Sequence, residues 1–310
     1  MVLMVGSTGR LGSAICRALA MKGIPIRAMI RETADRQKVE RLKKYGSLLI
    51  VGDLRDPGSL VKACQGLHNI ICSASAFSNF IPGVNDFERV DLNGVKNLIE
   101  IAARSGVEHF VYVSLCLKDQ FRSPHLDARQ AVEKFLMNSG MRYSILHPCF
   151  LAETWFSPEM GFDLAARKSV IFGNGENPLA WISIRDVAGA AVNALTNPFP
   201  ENVMIDLRGP DLVSQLDMIR FLERKLDCFL EKEFLPEEYL SFQRISATCP
   251  FEKSLYSLFL ACAIGEESFY AFPNRTQEHG TLSIESLLPS ITNPTFHGNS
   301  LFPINSRAIF

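Results

Sequence analysis

Between the strand-length apolar run Val2-Leu3-Met4-Val5 and the helical run Ser13 to Ala20 lies Gly6-Ser7-Thr8-Gly9-Arg10-Leu11-Gly12. A glycine-rich turn joining a strand to a helix narrows the choice of fold more than any other feature of the chain. Gly6 permits a tight turn, Gly9 lets a ligand approach the backbone, and Gly12 lets the helix lie close against the strand. The free N–H groups of the helix start then form a cradle for phosphate. The spacing is G-x-x-G-x-x-G rather than G-x-G-x-x-G, so its meaning comes from its context at the first strand of a series. The alternative is a glycine turn that holds no ligand.

That series is visible downstream. Ile26–Ile30 precedes polar Glu32–Tyr45, Leu48–Val51 precedes Pro57–Gln65, and Asn69–Cys72 precedes a helical pattern across Asp91–Ser105. Phe110–Ser114 is followed by a helical stretch about Arg129–Ser139 and a strand at Tyr143–Leu146. Strands alternating with helices predict an α/β fold, a doubly wound parallel Rossmann sheet. After Pro148 the rhythm changes. Gly161–Lys168 reads as helical, Trp181–Ile184 as a short strand, Asp186–Leu195 as an amphipathic helix and Val203–Leu207 as a further strand. Asp211–Leu226 and Glu237–Ala263 are helical in pattern. These predict a smaller, mostly helical C-terminal lobe, with some strands returning to the main sheet. The expected division is a dinucleotide-binding domain over 1–150, a substrate lobe over 151–292 and a loose tail over 293–310.

Composition excludes several classes. A net charge of -1 and no Lys/Arg-rich run argue against nucleic acid, which needs a basic face. The eight cysteines form no Cys-x-x-Cys pair, as expected of reduced thiols in a cytoplasmic setting, and no metal site is expected. Met1 leads directly into a strand, so no signal peptide is expected. The longest apolar run near the C-terminus, Leu255 to Ile264, is too short for a membrane span. It suits a lobe core and a subunit contact equally, so a homodimer or a regulatory protein partner stays open.

The end of the second strand decides between nicotinamide dinucleotides, because an acid there accepts from a ribose 2′-OH while a cation binds a 2′-phosphate. Arg31 stands at that place and Arg10 in the glycine loop, which predicts NADP(H), with NAD(H) as the alternative. Glu32 is discordant, and Arg31 also reads as an ordinary solvated loop charge. Asp53 and Leu54 are expected beside the adenine, and Ser73, Ala74 and Ser75 along the middle of the cofactor.

The chain resembles an atypical short-chain dehydrogenase/reductase of the NmrA-like group over roughly Val2 to Leu226. Besides the glycine loop, the carriers are Val51-Gly52-Asp53-Leu54, the segment Gly94 to Ile99, Ser139 to Pro148, and Trp181 to Ala188. The resemblance implies NAD(P) binding and activities ranging from reductases to cofactor sensors without turnover. It also implies a Tyr-x-x-x-Lys pair, which this chain lacks. The stretch aligned through Glu133 has His125 in place of the tyrosine and Arg129 in place of the lysine. Ser114 matches the superfamily's serine, and His147 stands where arginine is more usual, with Pro148 and Phe150 then approaching the nicotinamide. Histidine passes protons near neutral pH, whereas arginine hydrogen-bonds a ribose but is no base. His125 also reads as a solvated loop histidine. Phe77, Phe80, Trp155 and Phe156 suit either the walls of a flat substrate site or ordinary core. Asp186 reads as a helix N-cap.

Two functions follow from these residues. The first is an NADP-dependent oxidoreductase transferring hydride to a small carbonyl, quinone-like or conjugated substrate, with Ser114, His125 and Arg129 as its candidate catalytic residues. The second is a non-catalytic NAD(P)-sensing regulator or assembly factor.

Overall fold

The computed structural model describes residues 1–115, 117–197, 202–269 and 276–292. The tail expected over 293–310 lies outside them. The first half alternates as its pattern predicts: β1 (Val2–Val5), α1 (Arg10–Met21), β2 (Ile26–Ile30), α2 (Arg36–Lys44), β3 (Leu48–Val51), α3 (Pro57–Cys64) and β4 (Asn69–Cys72). A π-helical segment, Phe87–Gly94, runs into α4 (Val95–Arg104), followed by β5 (His109–Val113), α5 (Pro124–Met137) and β6 (Arg142–Pro148).

The remainder comprises α6 (Ala152–Trp155), β7 (Phe162–Asp163), β8 (Lys168–Phe172), β9 (Pro178–Leu179), α7 (Ile184–Thr196) and β10 (Val203–Arg208). After these come β11 (Val213–Ser214), α8 (Gln215–Leu226), β12 (Glu231–Leu235), α9 (Glu237–Ser246), α10 (Pro250–Ile264), β13 (Thr276–His279) and α11 (Ile284–Thr292).

Eight strands form one parallel sheet in the order β13-β10-β6-β5-β4-β1-β2-β3. Side chains alternate across it because successive residues of a strand point to opposite faces. Val2, Met4, Val111, Val113, Leu146, Ile205 and Leu207 join the core on the face covered by α1 and α7. Leu3, Val5, Ile70, Phe110, Tyr112 and Ile145 join the core beneath α3, α4 and α5. A sheet buried on both faces explains why its central strands read as unbroken apolar runs.

The second half departs from its pattern in several places. Gly161–Lys168 is not helical. Its alanines, leucine and arginine make the turn between β7 and β8, with Asp163 Oδ1 accepting from the Ala166 N–H and Arg167 at φ 54°. Helix propensity there yields to the hairpin and to its parallel partner β12, which was not expected. Trp181–Ile184 supplies only a bridge between Ile182 and Leu151, since Ile184 already begins α7. Asp186 is not the N-cap of α7. Ser183 takes that role, and Asp186 accepts from the Leu282 N–H and the Thr281 hydroxyl. The Glu237–Ala263 stretch is divided into α9 and α10 by Cys249 and Pro250. Leu255, Phe259, Leu260 and Cys262 of α10 are buried in the core of this chain. Among the described residues no helix is long and apolar enough to cross a membrane.

Candidate cofactor and active site

The helix that starts at the glycine loop has no side-chain cap and no acidic residue in its first turn. Its N-cap, Gly9, is exposed, and no N-cap side chain accepts from the amides of the first turn. The two other glycines are fixed by sterics. Gly6 has φ +86°, and a Cβ there would lie 2.8 Å from the Ala74 amide nitrogen. A Cβ on Gly12 would overlap the Gly6 carbonyl. Ser7 is buried and donates to the Met29 carbonyl at 2.6 Å, which ties the loop to β2. Beside Gly6, at the end of β4, the buried hydroxyl of Ser73 has no hydrogen-bond partner. An uncapped helix start, an open Gly9 and an orphaned hydroxyl fit a dinucleotide pyrophosphate. Thr8 and Leu11 complete the loop, and Leu11 packs on the α1-side core.

At the ends of β2 and β3, Arg31 is exposed and reaches the Asn85 Oδ1 at 3.3 Å. Asp53 is engaged by Arg55, whose Nε and Nη2 donate to its two oxygens at 2.9 and 2.5 Å. That hydrogen bond holds the Asp53 carboxyl below its usual range, with the charges of Arg55 and Arg31 adding to it. Here lies a shallow groove of about 360 Å3 lined by Asp53, Arg55, Asp56, Gly83, Val84 and Arg89. Arginines on both sides suit a 2′-phosphate. Leu54 is buried and packs against Gly94 from beneath. Arg10 turns away from this edge: its guanidinium pairs with Glu159 and donates to the Glu153 carbonyl at 3.1 Å.

The inward face of α5 carries His125, Arg129 and Glu133, spaced i, i+4, i+8, and all three are buried. Because α5 begins at Pro124 with Ser123 as its cap, His125 is a helix residue and not a solvated loop histidine. Arg129 donates from Nε to His125 Nε2 at 3.2 Å, from Nη1 to the Val113 carbonyl at 2.8 Å and to the Tyr112 hydroxyl at 3.2 Å, and from Nη2 to the Ala74 carbonyl at 3.1 Å. Asp91, fully buried in the π-helical segment, faces Arg129 Nη2 at 3.1 Å and accepts from the Ala76 N–H at 2.9 Å. Burial pushes the Asp91 carboxyl up, but the Arg129 charge and the bond to His125 outweigh it and hold it low. Burial pulls His125 down, and the Arg129 charge adds to this while Asp91 opposes it.

His125 Nε2 lies 3.2 Å from Arg129 Nε, 3.4 Å from Ser75 Oγ and 3.5 Å from Asp91 Oδ1, whereas its Nδ1 is buried with no hydrogen-bond partner. Phe77 and Phe87 flank the ring at centroid distances of 5.1 and 4.8 Å, and Phe80 and Phe251 pack on those phenylalanines. Trp155 and Phe156 lie elsewhere, in a cluster with Phe150, Trp181 and Phe172.

Ser114 follows β5 and donates its hydroxyl to Glu133 Oε1. The same oxygen is 3.0 Å from His147 Nε2, and His147 Nδ1 is 3.5 Å from Asp206 Oδ1. Pro148 ends β6 opposite Leu207, and the Cys149 thiol beyond it is pushed up to about 12 by burial, so it is no nucleophile at neutral pH. Asp91, Glu159 and Asp206 were not singled out from the sequence. Asp206 was detectable as the charged residue out of phase with Ile205 and Leu207, whereas the pairings of Asp91 and Glu159 are tertiary.

A profile of the NmrA-like family matches residues 1–269. The chain is 26% identical over 252 residues to photosystem II assembly factor Ycf39 of Cyanophora paradoxa, spanning 81% of this chain and 76% of that protein. It is 29% identical over 216 residues to an NAD(P)H azoreductase of Xenophilus azovorans, spanning 69% and 70%. Its backbone is similar to that of the Escherichia coli NADPH-dependent quinone oxidoreductase QOR2 complexed with NADPH, with a TM-score of 0.70 at 20% identity over 94% of this chain and 100% of that one. With the family profile running from β1 past the end of α10, the chain belongs to the NmrA-like family of NAD(P)-binding Rossmann-fold proteins.

Proposed function

We propose that the protein is an NADP(H)-dependent reductase acting on a small carbonyl, quinone-like or otherwise conjugated organic molecule held beneath the 151–292 lobe. The observation that carries this reading is the buried, unpartnered Nδ1 of His125, on the same strand-end side of the sheet as the open helix start at Gly9. The amides of Arg10, Leu11 and Gly12 would hold the pyrophosphate, and Arg31 with Arg55 or Arg89 the 2′-phosphate. A bound nicotinamide supplies the hydride. His125 offers a hydrogen bond from Nδ1 to the substrate's polar atom. Arg129 acts as a positioning residue, since its donors fix the carbonyls of Ala74 and Val113 at the ends of β4 and β5. The NAD(P)H azoreductase among the relatives supports a reductase. NADPH oxidation, measured over a panel of quinones and aldehydes with the native chain, His125→Ala and Ser114→Ala, tests it. Equal rates in all three proteins would remove both residues from their roles.

One observation favours a second reading, a cofactor-sensing regulator or assembly factor. The arginine that replaces the lysine spends its N–H groups inside the protein. The relative that is a photosystem II assembly factor agrees with it. Thermal stabilisation by NADPH with no turnover on any substrate of the panel would select this alternative.

A further inference from the structure

His147 is the residue the reductase reading leaves without a task, and its surroundings are unusual for a strand interior. Sheet register places Tyr112 beside Ile145 and Val113 beside Leu146, so Ser114 stands next to His147 at the end of β5. On the other side His147 is directly opposite Asp206 of β10. Ser114, His147 and Asp206 therefore form one row across three adjacent strands, on the face that α5 covers. Glu133 descends from α5 and bridges the first two through a single oxygen. All four side chains are buried.

The hydrogen-bond directions in this row are constrained. A carboxylate only accepts, and each ring nitrogen of His147 faces a carboxylate, Glu133 at Nε2 and Asp206 at Nδ1. Both contacts are favourable only when both nitrogens carry protons, so the row favours an imidazolium between two anions. Among the described residues, Glu133 from α5, Asp206 from β10 and Ser114 from the end of β5 face that ring. Arg129 stands one α5 turn from Glu133, and the register neighbour of Asp206 on β13 is the uncharged Gln277. While Glu133 is ionised it accepts the Ser114 hydroxyl proton, which holds that proton inside the row. Once Glu133 is protonated it donates to Ser114 Oγ, and the Ser114 O–H is released toward the substrate.

Resting on the reductase reading, we propose that Glu133, His147 and Asp206 form a proton store behind Ser114, which makes Ser114 the proton donor of the reduction and His147 its source. A bound nicotinamide would supply the hydride that forms the new C–H bond, and the electron pair of the substrate C=O bond would move to oxygen. That oxygen takes the proton of Ser114 Oγ, Ser114 takes one from Glu133, and Glu133 takes one from His147 Nε2. His147 is left neutral, with Asp206 holding the proton on Nδ1, and it regains its charge from solvent water before the next turnover. Glu133 and Asp206 are positioning residues, because neither touches the substrate.

The test uses the full chain with NADPH bound, with 15N-labelled histidine followed by NMR from pH 5 to 9, and in parallel the pH dependence of NADPH oxidation. In the native chain both ring nitrogens of His147 are expected to carry the matched 15N shifts of a doubly protonated ring at neutral pH. Glu133→Gln is expected to lower its midpoint by at least one pH unit, and Ser114→Ala, which removes a donor from the shared oxygen, to raise it. In turnover, Glu133→Gln is expected to lower kcat at least tenfold at pH 8 with KM within twofold. Asp206→Asn, a milder change that keeps the shape of the row, is expected to shift the midpoint downward without loss of the fold. A neutral His147 at pH 7, or a midpoint unmoved by Glu133→Gln and Ser114→Ala, overturns the store whatever the activity. Intact coupling with no substrate reduced by the native chain overturns the delivery step and the reductase reading together. Intact coupling with native kcat in Glu133→Gln overturns the delivery step alone.

Discussion

The guanidinium of Arg10 in the glycine loop is bound by Glu159, a carboxylate that also accepts from the Ser157 hydroxyl at 2.6 Å, so the glycine loop is laced to the chain that follows β6. This pairing separates the two arginines that the sequence puts forward for a 2′-phosphate. Arg10→Ala is expected to weaken NADPH and NADH binding by similar factors, because it loosens the loop without removing a phosphate ligand. Arg31→Ala is expected to cost NADPH about tenfold, roughly 1.4 kcal/mol, and to leave NADH within about twofold. Calorimetric titration of both nucleotides measures the difference, and equal losses for Arg31→Ala would overturn the NADP assignment.

Gly12→Ala would drive a methyl group into the Gly6 carbonyl, and Gly6→Ala would meet the Ala74 backbone at a φ that side chains avoid. Each is expected to cost about 1–3 kcal/mol in urea unfolding and to abolish nucleotide binding. Gly9→Ala, whose new Cβ meets only the Gly6 carbonyl at 3.3 Å, should unfold like the native chain and lose affinity alone.

Asp91 balances Arg129 in a site that excludes water. Removing the carboxylate leaves a buried cation uncompensated, so Asp91→Ala is expected to destabilise the fold by about 3–5 kcal/mol. Replacing both partners, as in Asp91→Leu with Arg129→Met, should recover much of that loss. Chemical denaturation of the single and double variants gives both numbers.

His109, at the opposite end of the sheet, donates toward Ser144 Oγ at 3.0 Å and accepts from Arg142 at 3.2 Å. Burial, with the Arg142 charge, pulls it from 6.5 to about 4. The unfolded chain therefore takes up this proton first. The His109 contribution to stability is complete above pH 6.5 and falls as the pH drops toward 4. In His109→Gln the stability curve should be flatter between those limits, as thermal unfolding across the range would reveal. Parallel curves for the two proteins would contradict the assignment.

Much of this arrangement was legible before any coordinates. The β1 to β6 alternation, the glycine loop and the place of Ser114 follow from local patterns that the sheet then reinforces. The register row of Ser114, His147 and Asp206 was not, because it depends on which strands become neighbours, and β10 joins β6 only after some fifty intervening residues. The hairpin at Gly161–Lys168 hid behind residues that favour helices in isolation. Of the two readings the sequence leaves open for His125, the loop one arises because the helical pattern is plain only from Arg129, while Ser123 and Pro124 start the helix a turn earlier. The Arg10–Glu159 pair joins residues far apart in sequence, and nothing local announces it.

The order of the sheet makes its last strand a seal. β13 lies outside β10, with the Gly280 N–H on the Arg208 carbonyl and Asp186 of α7 holding the two residues that come next. A chain ended at residue 269 would keep β1 to β6 and yet leave the peptide groups of Val203–Arg208 bare along one margin. Such a margin recruits strands from other molecules. Shortened forms of this protein should thus be lost first to self-association, with nucleotide recognition still intact.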